Sequence, residues 1–347
     1  MASTATWIKI VNAESLQRSS HCVSIVGTNV YIVGGELQPR CPRDNDVHIL
    51  DLSSANSRGS AGAVKVKTIS SPAQSPSPRV GSATTALNGK IYLFSGRGGE
   101  AMAPIEENGC LWVLELSNTT WSRISPKTTA HNSNAKAQTH PQARSYHCMT
   151  NDGKDVIYIH AGCPEKGRLS DFWAFRVSTQ EWTQLTSAPD PPRGGASITY
   201  ANGRVFRMNG FDGQQELGGT LEIYDPSSNK WESRRFEPGQ NGPGPRSVST
   251  LLALKIDGDP SLITLFGESD PSSLGHQGAG KMLSDVWAYN ISSGHWSQVK
   301  PQGGSPDPRG WFDADIVAID GQDHVVVVGG LGESNERLDD VWMLSFS

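Results

Sequence analysis

Internal repetition constrains this chain more than any other feature. A short β-rich run ending on glycine recurs six times: Val30-Tyr-Ile-Val-Gly-Gly35, Ile91-Tyr-Leu-Phe-Ser-Gly96, Ile157-Tyr-Ile-His-Ala-Gly162, Val205-Phe-Arg-Met-Asn-Gly210, Ile263-Thr-Leu-Phe-Gly267 and Val325-Val-Val-Val-Gly-Gly330. The last glycines of successive copies stand 48–66 residues apart. A second run follows each copy, as in Asp171-Phe-Trp-Ala-Phe175, Asp285-Val-Trp-Ala-Tyr289 and Asp340-Val-Trp-Met-Leu344. A third is marked by Trp121, Trp182, Trp231 and Trp296. One more run precedes each glycine pair, usually begun by an arginine after a turn. Units of this size cannot each bury a core alone; they become stable by stacking on their neighbours.

Four short strands per unit, six times over, predict an all-β fold, a six-bladed β-propeller of the kelch type. Alternating strands bury one face on the next blade, and each tryptophan supplies an apolar plate between sheets. The glycine pair lets the chain turn where a side chain would clash. The last unit ends at Val341-Trp-Met-Leu-Ser-Phe-Ser347 without a tryptophan-bearing fourth strand, and the chain begins with Trp7-Ile-Lys-Ile10. The N-terminal strand is therefore expected to complete the last blade and close the ring, removing an exposed edge. Residues 1–347 read as a single propeller domain. In blade one the fourth strand, Val64-Lys-Val-Lys-Thr-Ile69, lacks the tryptophan. Two polar insertions, 53–62 and 128–142, read as mobile rim loops.

Composition narrows the functions. With 30 Lys and Arg against 35 Asp and Glu, the formal charge is −5, against a general nucleic-acid binder. No apolar run approaches the length of a membrane span, and the N-terminus lacks the pattern of a secretory signal. Cys22, Cys41, Cys110, Cys148 and Cys163 form no close pair and read as neither a disulfide framework nor a zinc site. The expectation is a soluble, cytoplasmic protein with free thiols, a monomer or weak homodimer.

In a propeller, a site is built from one residue per blade around the channel mouth. Arg79, Arg144, Arg193, Arg246 and Arg309 recur where the inner strand begins, and Ser20-His21 stands near the same place in blade one. Such a ring of cations would favour a small anion, since guanidinium matches sulfate, phosphate or carboxylate with two hydrogen bonds. The plainer alternative is that each arginine caps carbonyls or pairs with an acid. Arg40, Arg97 and Arg168 are further cations in loops after the glycine pairs. In blade five, Glu268, Asp270 and His276 fall within nine residues on a loop with glycine and Pro271. Two carboxylates and an imidazole can converge on a divalent ion with positions left open, a set that suits Fe(II). The alternative there is a polar surface loop.

Several of these segments together resemble the kelch-type specifier proteins of glucosinolate breakdown: nitrile-specifier, epithiospecifier and thiocyanate-forming proteins. The resemblance runs nearly end to end. It rests on Trp7-Ile-Lys, Ser19-Ser-His21, Gly34-Gly-Glu36, Ser95-Gly-Arg97, Arg144-Ser-Tyr-His147, Arg193-Gly-Gly-Ala196, Arg246-Ser-Val248, Glu268 to His276, and Arg309-Gly-Trp311. It implies a non-haem iron, lyase-like activity that diverts a thiohydroximate O-sulfate, the aglycone released by a thioglucosidase, from isothiocyanate to nitrile. It further implies that Arg97 and Arg168 contact the sulfate and that Glu268 and His276 ligate iron. Arg97 and Arg168 are thus the expected catalytic residues, Arg40 and Trp311 are expected with them on the substrate, and Glu268, Asp270 and His276 on the metal. The family's middle carboxylate lies four residues after the glutamate. Here that place is Ser272, and the nearby carboxylate is Asp270. A loop lysine of the family is replaced in blade one by Cys41, beside Arg40.

The leading expectation is thus an Fe(II)-dependent, nitrile-forming protein acting on a small sulfur-containing anion, with no nucleic-acid or membrane partner. The rival is a non-catalytic kelch propeller serving as a protein-interaction platform, although the repeats leave no room for a recruitment domain. Fold alone does not separate them. A copper-radical oxidase fits poorly, for want of an extra domain and of a Tyr/His ligand set.

Overall fold

A computed structural model describes residues 4–55, 64–127 and 138–346, and for His276 the backbone only. Six antiparallel sheets follow one another around a central channel. Their inner strands are Ser19–Val26, Ala83–Leu87, Cys148–Asn151, Ser197–Ala201, Thr250–Ile256 and Asp313–Ile319. The glycine-terminated runs form the second strand of each sheet, and the tryptophan-bearing runs the outermost. Of the two polar insertions, positions 56–62 and 128–137 lie outside the described residues. Among the described residues, no helix is long and apolar enough to cross a membrane.

Blade six is completed by the start of the chain, as the missing strand requires. Ala5–Asn12 pairs antiparallel with Arg337–Phe346, placing Trp7 opposite Leu344 and Lys9 opposite Trp342. The tryptophans do the packing expected of them. Trp182 lies 5.8 Å from Phe94 of the preceding blade, Trp296 5.7 Å from Phe236, and Trp7 stacks at 5.7 Å on Phe266. Blade six is latched to blade one by carboxylates. Asp313 Oδ2 accepts the Val23 amide at 2.6 Å, and Asp315 Oδ2 accepts that of Ile25 at 2.7 Å.

The inner-strand arginines do not form a ring of cations facing the mouth. Each is buried and answered, and blade one contributes Arg18 rather than the Ser20-His21 pair. Arg18 pairs with Asp44, Arg79 with Glu107, Arg144 with Asp171, Arg246 with Asp285 and Arg309 with Asp340, at 2.6–3.1 Å. Arg193 shares Glu222 with Arg207. One guanidinium nitrogen of each also donates to a carbonyl near its own glycine pair, such as Gly34 for Arg18 and Gly329 for Arg309. The acid of the Asp-x-Trp runs holds the tryptophan as well: the Nε1–H groups of Trp173, Trp287 and Trp342 donate to Asp171, Asp285 and Asp340. The plainer sequence alternative is what the fold adopts, because a buried guanidinium needs both an acid and carbonyl acceptors.

Two residues after each of these arginines the backbone turns left-handed, with φ between 45° and 61° at Ser20, Gly81, Tyr146, Gly195, Val248 and Trp311. These six residues join into a closed cycle. Each amide donates to the carbonyl of the corresponding residue in the preceding blade, from Gly81 onto Ser20 round to Ser20 onto Trp311, at 2.7–3.1 Å. Valine is an outlier at such a φ, so the strain at Val248 is held by the ring itself.

Candidate functional site

The cycle narrows the channel at one end. Tyr146 and Trp311, from opposite blades, meet edge to face at 5.1 Å, and Gly81 leaves room for the tyrosine ring, since a Cβ there would lie 2.9 Å from it. Below them runs a polar channel cavity of about 410 Å³ lined by the inner strands. Above them, on the loop side, lies a separate cavity of about 100 Å³.

The residue that follows each last glycine lies along this mouth: Glu36, Arg97, Cys163, Phe211, Glu268 and Leu331. Each bridges to the segment just before an inner strand, as Arg97 does to Val80 and Glu268 to Ser247. One sequence position, sampled once per blade, therefore supplies both ends of a charged rim. Glu36 is consumed by Arg337 at 2.9 Å. The upper cavity opens on the other side, between blades three, four and five.

Of the residues named from sequence, Arg168, Glu268 and Trp311 line this cavity together, with Ser272, Cys163 and Phe211 beside them. Arg168 has no hydrogen bond or acid partner among the described residues. Its guanidinium lies over the Phe211 ring at 4.9 Å, and Gly213 is bare where a Cβ would strike it at 2.7 Å. That leaves a cation free to receive an anion, with its apolar face already covered. Arg97 is half-buried one blade away. It donates to Ser145 Oγ and to the carbonyls of Met102 and Pro164 at 2.8–3.2 Å, with no acid paired to it among the described residues. Cys163 stands between the two. Burial pushes its thiol up, and the charges of Arg168 and Arg97 oppose the rise.

Glu268 is 5% exposed. One oxygen accepts the Gly280 amide at 2.8 Å, the other has no hydrogen bond among the described residues, and the residue lines the cavity. Burial raises its pKa, helped by the charge of Asp270 and opposed by the Gly280 amide. Asp270 itself is exposed, paired in register with Lys281, and does not line the cavity, whereas Ser272 does. The His276 side chain lies outside the described residues. Arg40 is exposed on the blade-one loop, its amide bound to Glu36 Oε2 at 2.7 Å, away from the cavity.

A second carboxyl was not singled out in the sequence. Glu216 stands six residues beyond Gly210, as Arg168 stands six beyond Gly162. Burial pushes it up to about 8, with Glu268 and Asp212 adding to the rise and Ser247 and Arg168 opposing it. The shared offset from the blade glycine was the available signal. Among the described residues, no three of His, Cys, Asp and Glu already form a metal-holding group. The donor chemistry nonetheless suits a divalent ion, because among the described residues Glu268 presents an oxygen without a hydrogen bond and Glu216 two buried oxygens without one.

A buried-arginine ring, blade-ending glycines and a closing N-terminal strand define a six-bladed kelch propeller with a cavity at one mouth lined by Arg168 and Glu268. The chain belongs to the kelch-repeat family: the model of the KLHDC2/KLHL20/DRC7 Kelch-repeats domain matches residues 20–267. Among curated proteins it is similar to the N-(sulfonatooxy)prop-2-enimidothioate sulfolyase of Thlaspi arvense, with 25% identity over 94% of this chain and 92% of that protein. It is also similar to acyl-CoA-binding domain-containing protein 5 of Arabidopsis thaliana, with 23% identity over 75% of this chain, spanning 37% of that protein. Among solved structures, one titled "Structure of YjhT" superposes with a TM-score of 0.70 at 14% identity, covering 97% of this chain and 99% of the other, which shows the fold alone.

Proposed function

We propose that this protein is a sulfolyase of the nitrile-forming kind, acting on a small sulfated thiohydroximate with the help of a divalent ion, Fe(II). The observation that carries the reading is the meeting of an unneutralised Arg168 with a buried, half-free Glu268 in one cavity above Trp311. A relative matched over 94% of this chain and 92% of its own length is named as a sulfolyase of such an anion.

Arg168 would hold the sulfate, with the Arg97 charge behind it. Charge-assisted hydrogen bonds strengthen as the N–O pair leaves with the sulfate, so the arginines favour the departing anion over the bound one. Trp311 and Phe211 would cover the carbon skeleton, and the Tyr146–Trp311 contact would close the floor against the wet channel. When bound by Glu268 and His276, Fe(II) would supply a soft-enough Lewis acid to orient the substrate sulfur. In the overall change the C–S pair becomes the third C–N bond, releasing sulfur, sulfate and nitrile.

The test adds purified protein and Fe(II) to a glucosinolate under hydrolysis by a thioglucosidase and measures nitrile against isothiocyanate. Wild type should raise nitrile above the iron-only control, and Arg168→Ala should lose most of that rise, by roughly 1–3 kcal/mol of transition-state stabilisation. Nitrile at the control level across several glucosinolates would overturn the reading. The interaction-platform alternative has one observation in its favour: the match spans only 37% of acyl-CoA-binding domain-containing protein 5, a relative named for a different, ligand-binding domain.

A further inference from the structure

Glu216 is a buried carboxyl at this mouth that the proposed function leaves without a task. The residue is 8% exposed, and among the described residues neither carboxylate oxygen has a partner within hydrogen-bond geometry, the Ser247 side chain being the neighbour that partly offsets its burial. A carboxyl so placed is costly to bury unless something answers it. Arg168 does not, since its guanidinium is spread over Phe211 and makes no ion pair among the described residues.

The backbone brings Glu216 to Glu268 through three adjoining segments. Glu216 bridges back to Phe211, and the carbonyl of the next residue, Leu217, accepts the Arg246 amide at 3.2 Å. Ser247 then exchanges two hydrogen bonds with Glu268, each 2.9 Å. Glu216, Ser247 and Glu268 are thus carried side by side by blades four and five, Ser247 and Glu268 lining the cavity and Glu216 standing beside them. Ser272, which lines that cavity from the blade-five loop, brings no charge.

The geometry points to Glu216 as a carboxylate ligand that joins Glu268 in holding a divalent cation between blades four and five. Two carboxylates match the charge of such an ion, and hard oxygens suit it. The ion would answer both orphaned oxygens of Glu216 at once. The assignment rests on the divalent-ion part of the proposed function, and it moves the second carboxylate from the blade-five loop to the neighbouring blade.

The test is binding rather than turnover. Anaerobic full-length protein is titrated with Mn(II), followed by electron paramagnetic resonance, and with Fe(II) by equilibrium dialysis. Wild type, Glu216→Gln, Glu268→Gln and Ser272→Ala are compared, with melting curves taken with and without Mn(II). One site is expected in wild type, at least tenfold weaker in both glutamine variants and unchanged in Ser272→Ala. Mn(II) should raise the melting temperature of wild type and leave that of Glu216→Gln in place. Wild-type affinity in Glu216→Gln beside a weakened Glu268→Gln would overturn the role of Glu216 and leave the proposed function standing. No binding by wild type would overturn both. Should Glu216→Gln fail to fold, Glu216→Asp keeps the charge but withdraws it by one methylene; it should bind more weakly than wild type, and equal affinity would overturn the assignment.

Discussion

Two kinds of arginine share this molecule, and they differ in whether an acid answers them. Arg309 is fully buried, donating to both oxygens of Asp340 at 2.6 and 3.0 Å and to the Gly329 carbonyl at 3.0 Å. Arg309→Ala would leave the mostly buried Asp340 uncompensated, and we expect a loss of about 3–5 kcal/mol in denaturant unfolding. Arg168→Ala removes no ion pair found among the described residues, so its unfolding free energy should shift by less than about 1 kcal/mol while anion binding falls. Equal destabilisation in the two variants would show that Arg168 is a structural residue after all. The sequence could not separate these classes, because both follow turns and both recur with the blades. What separates them is an Asp or Glu about 26–39 residues further on, brought close only when the blade folds.

At the scale of the strand, the closing element is Ala5–Asn12. Ile8 and Ile10 enter the apolar cluster between blades one and six with Val23, Ile25, Val326 and Met343, while Trp7 packs with Phe266 and Trp342 on the other face. Deleting residues 1–12 would uncover ten residues of strand, Arg337–Phe346, including Trp342 and Leu344. An unpaired apolar edge of that length recruits other chains. The truncated protein should aggregate or melt without a cooperative transition, as read by light scattering and circular dichroism; a melt matching full length would remove the closure argument. This strand was legible beforehand, since a missing tryptophan strand at one end and a spare one at the other admit one solution.

Across the whole molecule, the seam that closes the ring carries buried acids. Burial raises Asp313 to about 7 and Asp315 to about 6, with the charge of Asp315 adding to the rise of Asp313 and backbone amides opposing it. Both folded-state values exceed the unfolded value of about 4, so the folded chain keeps protons that the unfolded chain has lost. That contribution is complete below about pH 4 and drains away as pH rises through 6 to 7. On the acid side, burial lowers His21 and His147 to about 3, so their contribution is present above pH ~6.5 and lost as pH falls. Stability should therefore peak near neutrality and decline towards pH 8. Asp313→Asn should flatten the alkaline decline by about 1 kcal/mol in urea titrations at pH 6.5 and 8. An unchanged slope would show that the seam carboxyls do not titrate in this range.

The sequence by itself determined the six blades, their four strands, the tryptophan plates and the closure, because each rests on local patterning repeated until chance is excluded. It also marked Arg168, Glu268 and Trp311, which meet in one cavity. Tertiary structure alone decided the rest. The left-handed cycle from Ser20 to Trp311 exists only when six blades supply donors in turn, and it is what sets Tyr146 and Trp311 as the floor. The separation of Asp270 from the cavity, and the approach of Glu216 to Glu268 from another blade, follow from how loops fall across a ring. Residues far apart in the chain become neighbours there through blade packing, which no local pattern encodes.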